Sequence, residues 1–271
     1  MEYKLVAIDM DGTLLTPDLK ISKRTVKTIS NVIENKVMVT LSTGRMYSAA
    51  LPLANELQLD VPIITCNGAL TKCSRTGKVY DMKTISENLY IEILNYLRDA
   101  GLSASVYDND EIFIEKNSEN LDIHADIDYA KPKIVENLES VYSNSIIKIL
   151  FSSRDKSKLK YHTHKLYEAY EDKLNFYFSL PHFVEIVNKS ANKKNALESL
   201  SKSLSIKRAE IIAIGDNFND LDMIQYAGLG VAMGNAPDYL KEEADYVTSS
   251  NDEDGVRHVL EKFILNYNNL H

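Results

Sequence analysis

The sequence predicts an α/β fold, a doubly wound and mostly parallel Rossmann-like sheet with an inserted α+β module. Three observations lead there. Short, unbroken apolar runs at Leu5–Ile8, Val37–Leu41, Val61–Thr65 and Ile211–Ile214 alternate with helical patterns, as expected of parallel strands buried on both faces. One of these runs stops at a carboxylate, Asp9, and another a single glycine short of one, Asp216, and the carboxyl ends of such strands are where open α/β sheets bind ligands. Between Thr84 and Pro181 the pattern changes to short alternating strands with segregated helices.

The first run continues as Asp9-Met10-Asp11-Gly12-Thr13-Leu14-Leu15. Asp9 and Asp11 are two residues apart, so extended geometry would send both side chains to the same side. Gly12 permits a sharp turn. Two carboxylates at roughly 4 Å repel by about 4 kcal/mol at an effective dielectric of about 20, so a cation is expected between them. Oxygen donors with no nearby Cys or His suit a hard ion such as magnesium. A calcium-binding EF-hand loop is excluded, because its fifth and sixth positions would be Thr13 and Leu14.

Val26, Ile29, Val32 and Ile33 stand at helical spacing within Thr25–Asn35. The strand Val37–Leu41 then runs into Ser42-Thr43-Gly44-Arg45. A small hydroxyl donor followed by glycine allows close backbone approach to an anion at the start of the next helix, although the same residues also make an ordinary helix cap. That next helix carries Leu51, Leu53, Ala54 and Leu57, with Pro52 early in it. The third strand ends in Cys66-Asn67-Gly68-Ala69, which reads equally as a turn into a hairpin from Leu70 to Tyr80.

The inserted module opens with a helix from Glu87 to Ala100. Strands Ser103–Asp108, Glu111–Glu115 and Ser145–Phe151 follow, then a helix Asp155–Tyr170 and strands Leu174–Ser179 and Phe183–Val187. His162 and His164 do not form a metal pair, since two residues on a helix subtend about 200°; both are expected to face solvent.

Past the insert, Lys193-Lys194-Asn195-Ala196-Leu197 leads a helix with Leu200 and Leu204 on its apolar side. The strand Ile211–Ile214 ends in Gly215-Asp216-Asn217-Phe218-Asn219-Asp220, a second acidic loop at a strand end. The glycines of Ala227–Gly234 imitate a dinucleotide fingerprint, but Met233 stands where its third glycine belongs. An edge strand Asp245–Thr248 and a helix Asp254–Asn266 close the core.

With 271 residues and a net charge of −8, the chain has ample material for a core and is a poor partner for nucleic acid or an anionic membrane. No window approaches the roughly 18 apolar residues of a membrane span. The sequence enters a strand directly at Lys4 and carries only Cys66 and Cys73, so reduced thiols and a cytoplasmic location are expected. An acidic protein that binds phosphate must build its own positive site. Oligomeric state is not legible.

Taken together, the loop at Asp9, the Thr43-Gly44-Arg45 turn, the lysine at the head of a helix and the Gly215–Asp220 loop resemble, in order, the motifs of the haloacid dehalogenase-like hydrolases. The insert occupies the position of the larger cap of the Cof-like (type IIB cap) subfamily. The resemblance implies a catalytic core over residues 1–82 and 188–271 and a substrate-specificity cap over 83–187. It implies a magnesium-dependent phosphatase that hydrolyses small phosphate monoesters, such as sugar phosphates, through an aspartyl-phosphate. Asp9 would be the nucleophile and Asp11 the general acid and base. Asp9, Asp11 through its main-chain carbonyl, and Asp216 would hold the metal. Met10, Thr43, Gly44, Arg45, Lys193 and Asn219 would bind the phosphoryl group, with Asn217, Asp220 and Asn67 in support. Aligning the family's Lys-x-x-Ala-Leu pattern on Ala196-Leu197 selects Lys193 over Lys194. A phosphomannomutase-like transferase of the same superfamily is the nearest rival, since it keeps both aspartates. A non-catalytic phosphate-binding module is the rival from another class. A signalling receiver domain is too short and has no room for the insert.

Overall fold

The computed structural model describes residues 2–116, 131–180 and 182–265. In chain order the elements are β1 (Leu5–Ile8), α1 (Lys23–Glu34), β2 (Met38–Leu41), α2 (Tyr47–Glu56), β3 (Pro62–Thr65), β4 (Leu70–Cys73) and β5 (Val79–Met82). Next come α3 (Glu87–Asp99), β6 (Ser103–Asp108), β7 (Glu111–Glu115), β8 (Lys133–Val135), β9 (Ile146–Ser152), α4 (Lys156–Tyr170), β10 (Leu174–Leu180) and β11 (Phe183–Asn188). The chain continues through α5 (Lys193–Ser203), β12 (Ile211–Gly215), α6 (Leu221–Tyr226), β13 (Leu229–Ala232), α7 (Asp238–Glu243), β14 (Tyr246–Val247) and α8 (Gly255–Leu260). Two compact units result: residues 1–43, 50–81 and 192–271 form the first, and 44–49 with 82–191 the second.

In the first unit the strands order β14-β13-β12-β1-β2 in one sheet, and every pair is parallel. Each residue of β1 is buried, as is each of β12, because helices line a parallel sheet on both faces and leave no polar side. A lone bridge from Ser42 to Ile64 brings β3 alongside β2, and β3 also starts a separate sheet, β3-β4-β5. Leu197, Leu200, Ile206, Ile211 and Met223 pack with Leu5 and Ala7 in one buried cluster. The apolar stripe of α5 thereby fixes the helix that carries Lys193. Ser22 caps α1, its side chain accepting from the Thr25 amide.

The second unit is built on a sheet ordered β10-β11-β9-β6-β7-β8. Its pairs are antiparallel except β7 with β8. Side chains alternate between faces. Val106, Ile149, Phe151, Val184 and Ile186 pack with Ile93, Leu94 and Leu97 of α3 and Leu159 and Leu166 of α4. On the opposite parity lie Lys148 and Glu185, whose side chains pair at 3.2 Å. The Lys148 ammonium also stands 3.9 Å from the centroid of the Tyr107 ring.

Several sequence expectations need correction. His162 is half-buried and its Nδ1 lies 2.9 Å from the Tyr96 hydroxyl; a T-shaped contact with the same ring holds it there. Of the two, His164 is the exposed one. The closing helix is α8 followed by a π-helical turn, Glu261–Leu265, and starts after Asp254 in the left-handed conformation, φ 58°; Asn266 lies outside the described residues. The short elements α6, α7 and β8 were not expected, since two turns of helix or three residues of strand carry too little periodicity to read.

Candidate active site

The site of the first unit follows from strand register. Ile8 of β1 pairs with Ile214 of β12 and with Leu41 of β2, and the ladder extends one step further. The Asp9 amide donates to the Ile214 carbonyl at 3.0 Å, and the Ser42 amide to the Ile8 carbonyl at 2.9 Å. Asp9, Asp216 and Thr43 are therefore neighbours at the carboxyl ends of adjacent parallel strands. This is where the topology leaves backbone groups and side chains facing outward from the sheet.

Glycines set how closely the loops approach. Gly12 has φ +80°, and a Cβ built on it would fall 2.3 Å from Asp216 Oδ2. Only glycine lets the turn after β1 lie against that carboxylate. A Cβ on Gly68, φ +89°, would come within 2.3 Å of the Asn192 carbonyl oxygen. Asn192 is the N-cap of α5 and accepts from the Asn195 amide at 2.7 Å, so the Asn67-Gly68 turn is shaped to receive the start of that helix.

Lys193 occupies the first position of α5 and is almost fully buried. Its Nζ donates to Asp9 Oδ1 and to Asp220 Oδ1, each at 2.6 Å. The other Asp220 oxygen accepts from the amides of Asp216 and Asn217, both at 3.0 Å. Asp9, Asp216 and Asp220 each place an oxygen within 4.8 Å of the others. The Thr13 hydroxyl donates to Asp216 Oδ1 at 2.7 Å.

These contacts are unequal in sign. Burial, the largest influence, pushes the Asp9 carboxyl well above the usual carboxylate range; Lys193 pulls it down while Asp220 and Asp216 push it up. Burial likewise raises Asp216 to about 6, against the hydroxyl of Thr13. Burial would lower the Lys193 ammonium, but Asp220 and Asp9 outweigh it and hold the group above its ordinary value. One lysine thus leaves the three carboxylates with surplus negative charge in a buried site. Both Asp220 oxygens are already engaged, and Asp9 and Asp216 are the carboxylates with oxygens to offer a cation. An all-oxygen donor set with unbalanced charge fits a hard divalent ion.

The remaining expected residues are distributed as follows. Asp11 is exposed and forms a bridge with Leu15. The Met10 side chain is buried in the core, which leaves only its main chain to meet a phosphoryl oxygen. Thr43 is buried; its amide donates to the Ile64 carbonyl and its carbonyl accepts from the Asn67 amide. Gly44 and Arg45 fall in the second unit. The Asn219 amide group donates to Asn67 Oδ1 at 2.9 Å, and Asn67 sits at φ 53°. Asn217 caps the turn, its Oδ1 accepting from the Phe218 amide at 2.8 Å. Lys194 does not join the cluster but pairs with Glu198 at 2.6 Å.

Three features escaped the sequence reading. Thr13 lies inside the first motif, yet only the fold shows that it grips Asp216. The Asn235 side chain donates to the Gly12 carbonyl at 2.8 Å, with no local pattern to announce it. Phe218 is 71% exposed and stacks on Tyr239 with centroids 4.1 Å apart. An aromatic in an acidic turn was the one available hint.

A family model described as haloacid dehalogenase-like hydrolase matches residues 6–260. The chain is 32% identical to the 5-amino-6-(5-phospho-D-ribitylamino)uracil phosphatase YwtE of Bacillus subtilis, over 96% of this chain and 98% of that protein. It is also 32% identical to phosphatase YwpJ of the same organism, over 96% of this chain and 100% of the other. A crystal structure of a haloacid dehalogenase-like hydrolase from Bacteroides thetaiotaomicron superposes with a TM-score of 0.88 at 31% identity, covering 96% of this chain and 99% of that one. Among the described residues no helix is long and apolar enough to cross a membrane.

Proposed function

The chain belongs to the haloacid dehalogenase-like hydrolases and is a phosphatase, and we propose on that premise that it hydrolyses small phosphate monoesters through an aspartyl-phosphate on Asp9, with magnesium as cofactor. The observation that carries this reading is the buried Lys193 ammonium held 2.6 Å from both Asp9 and Asp220, with Asp216 close by. Such a group supplies a nucleophile, a fixed positive charge and an oxygen-only cation site in one place.

In this reading Asp9, Asp216 and the main-chain carbonyl of Asp11 would hold Mg²⁺, which when bound supplies positive charge to the transferring phosphoryl group. Asp9 attacks phosphorus with one carboxylate oxygen while the bond from phosphorus to the ester oxygen breaks. Asp11 gives its proton to the departing oxygen. A water then attacks the same phosphorus, Asp11 takes the proton from it, and the acyl phosphate bond breaks to return Asp9 and release inorganic phosphate. Lys193, Thr43 and the main chain at Met10 and Gly44 offset charge on the phosphoryl oxygens. Asn219, Asn67, Asn217 and Asp220 keep the loop and the lysine oriented. Arg45 is assigned with Lys193 and Thr43 to binding the phosphoryl group. The second unit is the substrate-selecting cap, and the chain works in the cytoplasm, where Cys66 and Cys73, both buried and without a disulfide between them, stay reduced.

The test is a panel of phosphate esters, including sugar phosphates, sugar-alcohol phosphates and p-nitrophenyl phosphate, assayed with Mg²⁺ and with EDTA. Phosphate release that needs Mg²⁺ is expected. Release undiminished by EDTA, or transfer from a sugar bisphosphate to a hydroxyl in preference to water, would overturn the reading.

A further inference from the structure

Two asparagines far from the motifs hold the turn that carries Asp11. The Asn235 Nδ2 donates to the Gly12 carbonyl at 2.8 Å. The Asn235 Oδ1 in turn accepts from the Asn251 amide at 3.0 Å, and the Asn251 Nδ2 donates to the Leu15 carbonyl at 2.7 Å. The loop is therefore gripped at both ends by one relay that spans 236 residues of sequence. Within the loop, the Leu15 amide returns to the Met10 carbonyl at 2.8 Å and Leu14 to the Asp9 carbonyl at 3.2 Å, so these residues move as a unit.

The geometry has a consequence for Asp11 in particular. Asp9 is secured by strand register and by Lys193, and Asp216 by Thr13. Asp11 lies in that same loop: its backbone bridges to Leu15 and turns at Gly12, φ +80°, so it is placed by whatever holds the loop. An acid delivers its proton well only if the backbone that carries it is held at a productive distance. Asn235 supplies that fixation, and Asn251 orients Asn235 by occupying its oxygen, so that the amide nitrogen faces Gly12.

We propose that Asn235, oriented by Asn251, is a positioning residue for the general acid Asp11, and that its contribution is felt at departure of the leaving group. The proposal rests on the reading of Asp11 as the acid. Its signature is a dependence on the leaving group. An alkyl phosphate needs a proton on the departing oxygen, whereas p-nitrophenolate leaves with little help, so loss of acid placement slows the first and spares the second.

The experiment measures kcat/KM, which reports events up to ester cleavage, with Mg²⁺ present, for an alkyl or sugar phosphate and for p-nitrophenyl phosphate. The enzymes are wild type, Asp11→Asn, Asn235→Ala, Asn235→Asp and Asn251→Ala. Asn235→Asp keeps the oxygen that Asn251 uses and removes the donor to Gly12, so it isolates the grip if Asn235→Ala fails to fold. Asp11→Asn should lose on the order of 10²-fold or more on the alkyl ester, and the Asn235 variants roughly 10-fold or more, with less than about 3-fold on p-nitrophenyl phosphate. Asn251→Ala should show the same split with a smaller loss. Equal losses on both esters in the Asn235 variants, or no loss on either, would overturn the proposal while a split in Asp11→Asn kept the function reading intact. Absence of the split in Asp11→Asn itself would remove Asp11 as the acid, and the proposal with it.

Discussion

Lys193 Nζ stands 2.6 Å from Asp9 Oδ1 across 184 residues of sequence, with both side chains buried. The neighbouring lysine, Lys194, pairs instead with Glu198 one helical turn along, partly in solvent. Adjacent residues of one type thus have opposite weight. Removing Lys193 leaves Asp9 and Asp220 as uncompensated buried charges, so Lys193→Ala should cost about 3–5 kcal/mol in a denaturant titration and abolish turnover. Lys193→Arg should not rescue activity, because a planar fork cannot replace a point ammonium in a filled site. Lys194→Ala should cost about 0.5 kcal/mol or less and keep its kcat.

Asp9→Asn should keep the fold, since Asn retains the shape and can still accept from Lys193. It should lower turnover by on the order of 10³-fold or more. Rapid acid quench with a radiolabelled phosphate ester should trap label on the wild-type chain and none on the variant. Label on Asp9→Asn would assign the nucleophile elsewhere.

Gly12→Ala tests the close approach of the first turn to Asp216, where the added Cβ would lie 2.3 Å from Oδ2. The left-handed backbone alone should cost about 1–2 kcal/mol. Displacement of Asp216 should also weaken Mg²⁺ binding, read by isothermal calorimetry. Unchanged affinity would show that the carboxylate is not held by that contact.

The surplus charge predicts a pH dependence. Asp216, raised by burial to about 6, has an unfolded value of roughly 3.9. Its proton therefore stabilises the fold without metal; that contribution is complete below about pH 4 and is lost as pH rises through about 6. In EDTA, the Tm of wild type relative to Asp216→Asn should fall between about pH 4 and pH 6 and then level off. Mg²⁺ at about pH 7 should restore it, since a bound cation takes over from the proton. A Tm difference independent of pH would contradict this.

In the second unit, Lys148 and Glu185 form a buried ion pair over the Tyr107 ring. Lys148→Met should destabilise by about 3 kcal/mol, whereas Lys148→Met with Glu185→Leu should return to within roughly 1 kcal/mol of wild type or exceed it. Double-mutant stability measured by chemical denaturation checks the sign. A double variant as unstable as the single would mean that the pair is held by more than its own attraction.

The sequence by itself determined the layered α/β core and the ends of its central strands, because a parallel strand covered on both faces leaves an apolar run that stops where the ligand site begins. It also pointed to Asp9, Asp216 and the lysine at the head of α5, since each lies at an element boundary. Only the tertiary structure decided that Thr13 grips Asp216 and that Asn235 and Asn251 clasp the Asp11 loop, and only it shows Lys193, which the resemblance selects over Lys194, meeting Asp9 and Asp220 together. Those contacts mostly join segments 184 to 236 residues apart or depend on the phase at which a helix starts. Local periodicity records which face of an element is apolar, and it carries no information about which distant polar group will meet the other side.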